Sequence, residues 1–581
     1  MEIITMCEYA LKTIVLSSLE RVFPEIDPPE CKSAEQFSCL CNEPLSFQIA
    51  YKFDGDEIRA TTVFARITTA LPVSLYAVGF VPVLQSSDPN LDDKYRAGLF
   101  PDRLLEKKVN PAVGIKRYPW KEIHIEEDSV HIAARSDTWG SLWITVNEKK
   151  KKLKPGVYPV KVEFFGQVKG VKLGEATTAV KVIAAALPKQ TLKVTNWFYC
   201  DCLCDAHAVE PFTPRFWELF ADYVQKASLN GMNMLLTPCF TPPLDTPIGC
   251  ERKTVQLVGV TCLGGEYSFD FSLLEKYIEV AQKNGIEYFE HTHLFTQWGA
   301  TRAPKIMATV DGTYKRLFGW DTVAWEKKYK AFLHAYLPAL LGFLKERKLD
   351  RRFIFHISDE PSPKTRETYR KAKAAVGDLL DGYTVGDALS HYEYYKEGLV
   401  TTPIVMTTEV EQFYGRTKHL WAYYTGAQCS DGLSNRKLNC SNERNRMLGI
   451  QLYMYGIEGF LHWGYNFWYD TLSQGFADPN TDASFFGGAN PATSYLVYPA
   501  LNGGCIQSIR QKVFYEGLND MRALQLLEKR IGKAETRKFT EDFFGEVTFH
   551  THPQSAERLL QFRALLTRKI EECTFTTSEN G

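Results

Sequence analysis

Asp359 and Glu360 stand side by side at the end of an apolar run, in FIFHISDEPS, with a proline directly after them. Neighbouring carboxylates gain nothing from burial and repel each other, which pushes one pKa upward while its neighbour stays ionised. Such a pair suits glycosidic chemistry, where one carboxyl protonates the departing oxygen and negative charge supports the oxocarbenium-like centre. The ordinary retaining design sets two carboxyls ~5 Å apart on opposite sides of the anomeric carbon. Immediate neighbours fit that geometry poorly, because they leave the backbone together. They fit substrate-assisted catalysis better: the 2-acetamido oxygen of the sugar attacks and an oxazolinium forms. The protein then supplies one acid at the leaving group and one carboxylate on the acetamido N–H. Glu360, with the longer reach, is assigned as acid and base, and Asp359 as the group that orients the acetamido and offsets the positive charge. The bland alternative makes Asp359 a turn cap ahead of Pro361.

Other apolar runs also end in rings and polar groups. One ends in Tyr199 and Asp201, another in Glu290, His291 and His293 with Trp298 beyond, and a third in Glu409. A fourth gives Trp421, Tyr423 and Tyr424; the last gives His462, Trp463, Tyr465, Asn466 and Trp468. Carboxylates among aromatic rings suit sugars, since flat rings stack on their apolar faces. The expected substrate-binding set is His291, His293, Trp298, Trp421, Tyr423, Tyr424, Trp463, Tyr465, Asn466 and Trp468. One of the two tyrosines is expected to donate its phenol to the acetamido oxygen while the other packs inward. The H-x-H pair of His291 and His293 lacks a matched third ligand, so hydroxyl recognition is expected and metal is not. Cys200, Cys202 and Cys204 alternate as any strand imposes. No phosphate loop or nucleophile elbow appears, and no cofactor is expected.

These groups need a frame. From about Leu187 the chain alternates strand and helix. TLKVTNWFY leads into TPRFWELFADYVQKASLNG, whose apolar residues recur at helical spacing until Gly231. NMLLTPCF follows, then a helix expected to open on a capping box of Ser272 and Glu275. IEYFEHTHL precedes a helix over about residues 325–348. FIFHISDE precedes a helix with Ser362 as cap and Pro363 at its first position. YTVGDAL, PIVMTTEV, HLWAYYTG and GFLHWGYNFW complete eight strands, with helices near 442–456 and 518–531. Eight such units over ~340 residues fit a (β/α)8 barrel, with its site where the strands end. An open doubly wound sheet is the runner-up, but no GxGxxG follows any strand. Before residue 187, short strands such as PLSFQIAYKF, TTVFARITT, SLYAVGFVPVL, SLWITVNE and GVYPVKVEFFG lie between turn signals and read as a β-sandwich. The fold class is therefore multidomain, β plus α/β: a sandwich over 1–186, a barrel over 187–535 and a helical extension over 536–581.

Hydrophobic content of 45% and a net charge of -1 over 581 residues describe a globular chain with no electrostatic reason to bind nucleic acid or an anionic membrane. The run Lys149 to Lys152 is read as a solvated hairpin tip. No apolar stretch nears the ~18 residues that span a bilayer, and Glu2 and Glu8 sit where a signal peptide carries positive charge. A cytoplasmic protein without membrane insertion is expected, its fourteen cysteines reduced rather than paired.

HISDEPS, WAYYTG, EGFLHWGYNFW and FYEGLNDMRAL, in that order, resemble glycoside hydrolase family 123, the β-N-acetylgalactosaminidases. The resemblance covers about residues 190 to 530. It implies retaining, substrate-assisted, exo-acting removal of terminal β-linked N-acetylgalactosamine (GalNAc) from glycosphingolipid-type oligosaccharides, with Asp359 as stabiliser and Glu360 as acid/base. Two readings compete: a conventional two-carboxylate barrel glycosidase with Glu409 as nucleophile, and a catalytically silent carbohydrate-binding barrel.

Overall fold

The computed structural model describes residues 10–29, 35–55, 60–84, 97–108, 114–118, 121–125, 129–166, 171–429, 432–473, 475–484, 490–551 and 555–578. Glu2 and Glu8, on which the signal-peptide reading rests, lie outside them. By internal contacts the chain forms two units. One comprises Met1–Lys189, Asp431–Tyr453 and Ile506–Gly581; the other comprises Gln190–Ser430 and Met454–Cys505. The last helices thus group with the amino-terminal strands, a clustering that no linear division into three segments anticipates.

The second unit holds a closed barrel of eight parallel strands in chain order: Lys193–Asn196, Met234–Thr237, Tyr288–His291, Phe353–Phe355, Thr384–Leu389, Thr402–Met406, Trp421–Tyr423 and Gly459–His462. Closure comes from the last strand pairing with the first, Lys193 opposite Gly459 through Asn196 opposite His462. Each of the eight expected runs contributes one strand. Full helices follow the first four, at Pro214–Leu229, Ser272–Lys283, Lys327–Glu346 and Arg366–Val376. The first of these is capped by Thr213, whose hydroxyl accepts from Phe216 N at 3.4 Å. It buries Phe216, Leu219, Phe220, Tyr223 and Val224, each worth roughly 1.5–3 kcal/mol.

Regular alternation stops there. The fifth strand is followed by the four-residue helix Glu393–Lys396 and the sixth by the 3-10 turn Thr407–Gln412, because the connections are too short for more. Ser272 does not build the expected capping box; its N–H and hydroxyl both donate to Asp270. The cysteine trio lies not on a strand but on the helix Cys200–Ala206, with all three thiols buried. A further sheet of Glu266–Asp270, Gly259–Leu263, Ile306–Val310 and Thr313–Phe318 joins segments flanking the third strand. Its two hairpins turn on Gly264-Gly265 and Asp311-Gly312, all at positive φ, as two-residue turns of this kind require.

In the first unit one sheet contains Leu11–Ser17, Leu45–Phe53, Gly140–Val146, Val73–Val83 and Gly98–Lys107 as neighbours. A second orders Gln36–Leu40, Lys172–Ile183, Gly156–Gly166, Ala60–Thr68 and Ser129–Arg135. Phe47, Ile49 and Ile144 of the first share one core with Val63, Val162, Phe164 and Val180 of the second. The lysine run 149–152 is not a hairpin tip: Gly140–Val146 and Gly156–Gly166 belong to different sheets, so it connects them. Helices Asn442–Met454 and Ile509–Ile531 meet at glycines, where a Cβ on Gly449 would lie 1.7 Å from the carbonyl oxygen of Gly517. Beside them Arg446 pairs with Asp520 and Glu516, and Arg563 with Asp520 and Glu43, all buried.

The described cysteines are free thiols. Among the described residues no helix is long and apolar enough to cross a membrane.

Candidate active site

The fourth strand ends its barrel pairing at Phe355, and the chain continues through His356, Ile357 and Ser358 under tight control. Asp387, buried in the fifth strand, accepts from Ile357 N at 2.9 Å and Ser358 N at 3.3 Å. Ser358 Oγ donates to the Thr296 carbonyl at 2.8 Å. Glu360 then takes a φ of 42°, its N–H donating to the Ala388 carbonyl at 3.1 Å. Side chains alternate between faces along an extended strand. The left-handed turn at Glu360 cancels that alternation, so both carboxylates line one cavity of about 240 Å³. That backbone state costs an L-residue roughly 1–2 kcal/mol. Trp298, at φ 58°, and Ala300, at φ 54°, share it, and Trp298 N donates to the Asp359 carbonyl at 3.2 Å. Strained backbone of this kind clusters at active sites and ligand clamps.

The rest of the lining comes from barrel strand ends and the loops beyond them: Trp197 and Tyr199, Asp245, Gln297 and Trp298, Tyr423, Leu461 and Trp463, and Asn490 and Thr493. Tyr423 donates to Glu360 Oε1 at 2.8 Å. Burial, then the charge of Glu360, hold this phenol far above its ordinary pKa, so it remains a donor. Burial also raises the Asp359 carboxyl well above the usual range, and the charges of Glu360 and Asp387 add to it, while His356 opposes. By reach alone, the retained proton is expected on Glu360. In the free protein the upward push acts on Asp359, because its burial disfavours the charge and Glu360 and then Asp387 add to that.

Of the residues singled out in the sequence, Tyr199, Asp359, Glu360, Trp298, Tyr423 and Trp463 line the cavity together. The others have different surroundings. Trp421 opens the seventh strand rather than closing it, and its ring covers Gly459 at the start of the eighth, the opposite end of the barrel from the cavity. Tyr424 is buried against Phe460 and His462. Tyr465 stacks on Phe198 and donates to the Tyr223 carbonyl; Trp468 donates to the Val497 carbonyl. Asn466 holds both backbone groups of Tyr199, at 2.8 and 3.0 Å, and so fixes a lining residue without lining the cavity. His291 pairs with Tyr336 Oη at 2.8 Å, away from the cavity. Glu409 lies in the 3-10 turn, bonded to Gln412, and is not a lining residue.

His293 lies beneath the floor, stacked on His356 with ring centroids 4.7 Å apart. His356 Nε2 is 3.0 Å from Glu290 Oε2, and its Nδ1 is 3.5 Å from Asp387 Oδ1. Glu290 also accepts from the indole of Trp197 at 3.0 Å. His293, His356 and Asp387 each place one donor atom within 4.8 Å of the others, a spacing that could hold a cation. Sequence reasoning passed over His356 and Asp387, although His356 sits inside the acidic motif. It also missed Asp245, Asn490 and Thr493, which come from loops without any period to mark them.

Residues 197–527 match the description "Glycoside hydrolase 123, catalytic domain". The chain belongs to glycoside hydrolase family 123. Among solved structures, a family 123 glycoside hydrolase from Clostridium perfringens, studied for glycolipid glycan hydrolysis, superimposes with a TM-score of 0.69. It is 11% identical, with 98% of this chain and 99% of that chain covered, a likeness of fold. A family 2 glycosyl hydrolase from Bacteroides cellulosilyticus (TM-score 0.27, 8% identity, 78% and 44% covered) and a Bacteroides uniformis β-glucuronidase (0.30, 10%, 84% and 48%) are far more distant. No curated protein matches the sequence. The family 123 match covers the second to eighth barrel strands and both cavity carboxylates, so the cavity lies within a glycosidase domain.

Proposed function

We propose that this family 123 glycoside hydrolase is an exo-acting, retaining β-N-acetylgalactosaminidase that works through the 2-acetamido group of its substrate. One observation carries the reading: adjacent carboxylates are turned by the left-handed Glu360 into a single cavity that Glu409 does not line. Neighbours on one backbone approach a sugar from one side, which suits an acid at the leaving oxygen and a partner on the acetamido, not a nucleophile across the anomeric carbon. Glu360, positioned by the phenol of Tyr423, serves as acid and then base. Asp359 accepts the acetamido N–H and offsets the oxazolinium charge. Burial and two neighbouring carboxylates disfavour its charge in the free protein; an arriving N–H donor and a developing cation favour it. Trp463 and Trp298 offer rings to the sugar and what it is linked to. The family resemblance supports GalNAc and glycosphingolipid-type glycans as substrates.

The test varies the acetamido group. Aryl β-GalNAc should be cleaved with retained configuration, and the aryl β-galactoside should be inert. Successive fluorines on the acetyl methyl should slow cleavage stepwise, since they weaken the attacking carbonyl. A thiazoline copying the bicyclic intermediate should bind far tighter than substrate. A flat fluoroacetyl series, with a sugar trapped on a protein carboxylate, overturns the mechanism.

A further inference from the structure

The buried group that the mechanism above leaves unused is His356. It is 1% exposed, between Glu290 at 1% and Asp387 at 0%, three residues before Asp359. A neutral imidazole between two carboxylates would turn one bare nitrogen lone pair toward an anion, whereas the charged ring presents an N–H to each side. Its face is covered by His293, nearly parallel at 19°, and neither ring nitrogen of His293 has a hydrogen-bond partner. A neutral imidazole stacked on a cation is stabilised through its π-face, which gives His293 a role without a hydrogen bond. The same arrangement argues against a metal here, since a ring stacked on its neighbour directs its nitrogens alongside that ring rather than toward a shared point. Burial opposes the charge on His356, but pairing with Asp387 and Glu290 outweighs it and lifts the pKa to about 10. His293 is driven the other way by burial and by the neighbouring His356.

The charged groups acting on Asp359 are Glu360, Asp387 and His356, and His356 is the one that favours its ionised form. Asp387 links the two, since it pairs with His356 and holds the Ile357 and Ser358 amides that lead to Asp359. We propose that His356, held as a buried cation between Glu290 and Asp387 and covered by His293, is a positioning residue that lowers the cost of ionising Asp359 when the acetamido group binds. The proposal rests on the substrate-assisted reading for its purpose, but the charge states can be measured without turnover.

In histidine-15N-labelled wild-type protein, the signal lost in His356→Gln should be that of an imidazolium at about pH 8, where an ordinary histidine is neutral. In aspartate-13C-labelled protein, the carboxyl signal lost in Asp359→Asn should titrate at higher pH in His356→Gln than in wild type. Activity of His356→Gln toward an aryl substrate should fall about 10- to 100-fold near pH 6, as expected for removing one opposite charge, and far less near pH 8. Glu290→Gln, which keeps shape and acceptor, should shift the Asp359 titration in the same direction by less, and it carries the test if His356→Gln does not fold. A neutral His356 at pH 8 overturns the proposal, as does an unmoved Asp359 titration or a loss of activity equal at every pH. Zinc retained by purified protein, with both histidines deprotonated, overturns it in favour of a metal centre. A wild-type protein inert toward every aryl 2-acetamido glycoside refutes the proposed function instead, and the two titrations still decide the charge of His356.

Discussion

Asp359→Asn separates a carboxylate that works from one that merely caps a turn, because the two roles move activity and stability in opposite senses. In the working reading, a full negative charge lies ~4 Å from the developing oxazolinium; at an effective dielectric near 20 this is worth about 4 kcal/mol. Each ~1.36 kcal/mol is tenfold in rate, so the variant should lose roughly 1,000-fold in kcat/KM on aryl β-GalNAc. Stability should move the other way. The folded Asp359 carboxyl is raised by burial and by the charges of Glu360 and Asp387. Below the ordinary aspartate value of about 4, both folded and unfolded states are protonated and the two proteins should melt alike. As pH rises above that value, the unfolded chain ionises freely while the folded one is penalised, so wild type loses stability that the amide keeps. Thermal melts from about pH 4 to about pH 8 should therefore show the variant gaining on wild type with increasing pH. A variant that turns over normally but melts lower at every pH would falsify the functional assignment and return Asp359 to a turn cap.

Glu360→Gln should keep substrate binding and lose ~100- to 10,000-fold in turnover, with less damage for aryl leaving groups that need no proton; equal damage across leaving groups counts against Glu360 as the acid. Activity should be indifferent to EDTA, and loss restored by zinc would assign His293, His356 and Asp387 to a metal. Gly449→Ala should be among the most damaging single-methyl changes, since its Cβ would meet the Gly517 carbonyl oxygen at 1.7 Å; overpacking of this kind costs ~1–3 kcal/mol or more, and an unchanged melting temperature would disprove that close approach. Glu516 is raised from 4.5 to about 7, mainly by burial, with Arg446 opposing. Wild type should thus lose stability relative to Glu516→Gln as pH climbs through that window, and parallel melting curves would contradict it.

The expected strands were legible because burial imposes period and composition that any window of sequence displays. PIVMTTEV and GFLHWGYNFW read as barrel strands for that reason. The two hairpins of the added sheet carry a local signal in Gly264-Gly265 and Asp311-Gly312, but their place beside the barrel depends on segments more than 40 residues apart. Regular helices after the fifth and sixth strands would complete a (β/α)8 pattern, but the short connections between Leu389 and Thr402 and between Met406 and Trp421 leave no room for them.

By itself, then, the sequence determined the eight barrel strands, the acidic pair on the fourth and the family resemblance, because each is written in contiguous residues. Tertiary structure decided which side chains share a space. Trp421 and Tyr423 are two residues apart on one strand, yet one covers Gly459 at the barrel's far end and the other bonds Glu360, since strand direction separates what spacing joins. The left-handed Glu360 brings Asp359 and Glu360 into one cavity against the alternation of a strand. His356 meets Glu290 and Asp387 across three strands. Charges separated by 66 and 31 residues affect one another only when the barrel closes and takes the water from between them.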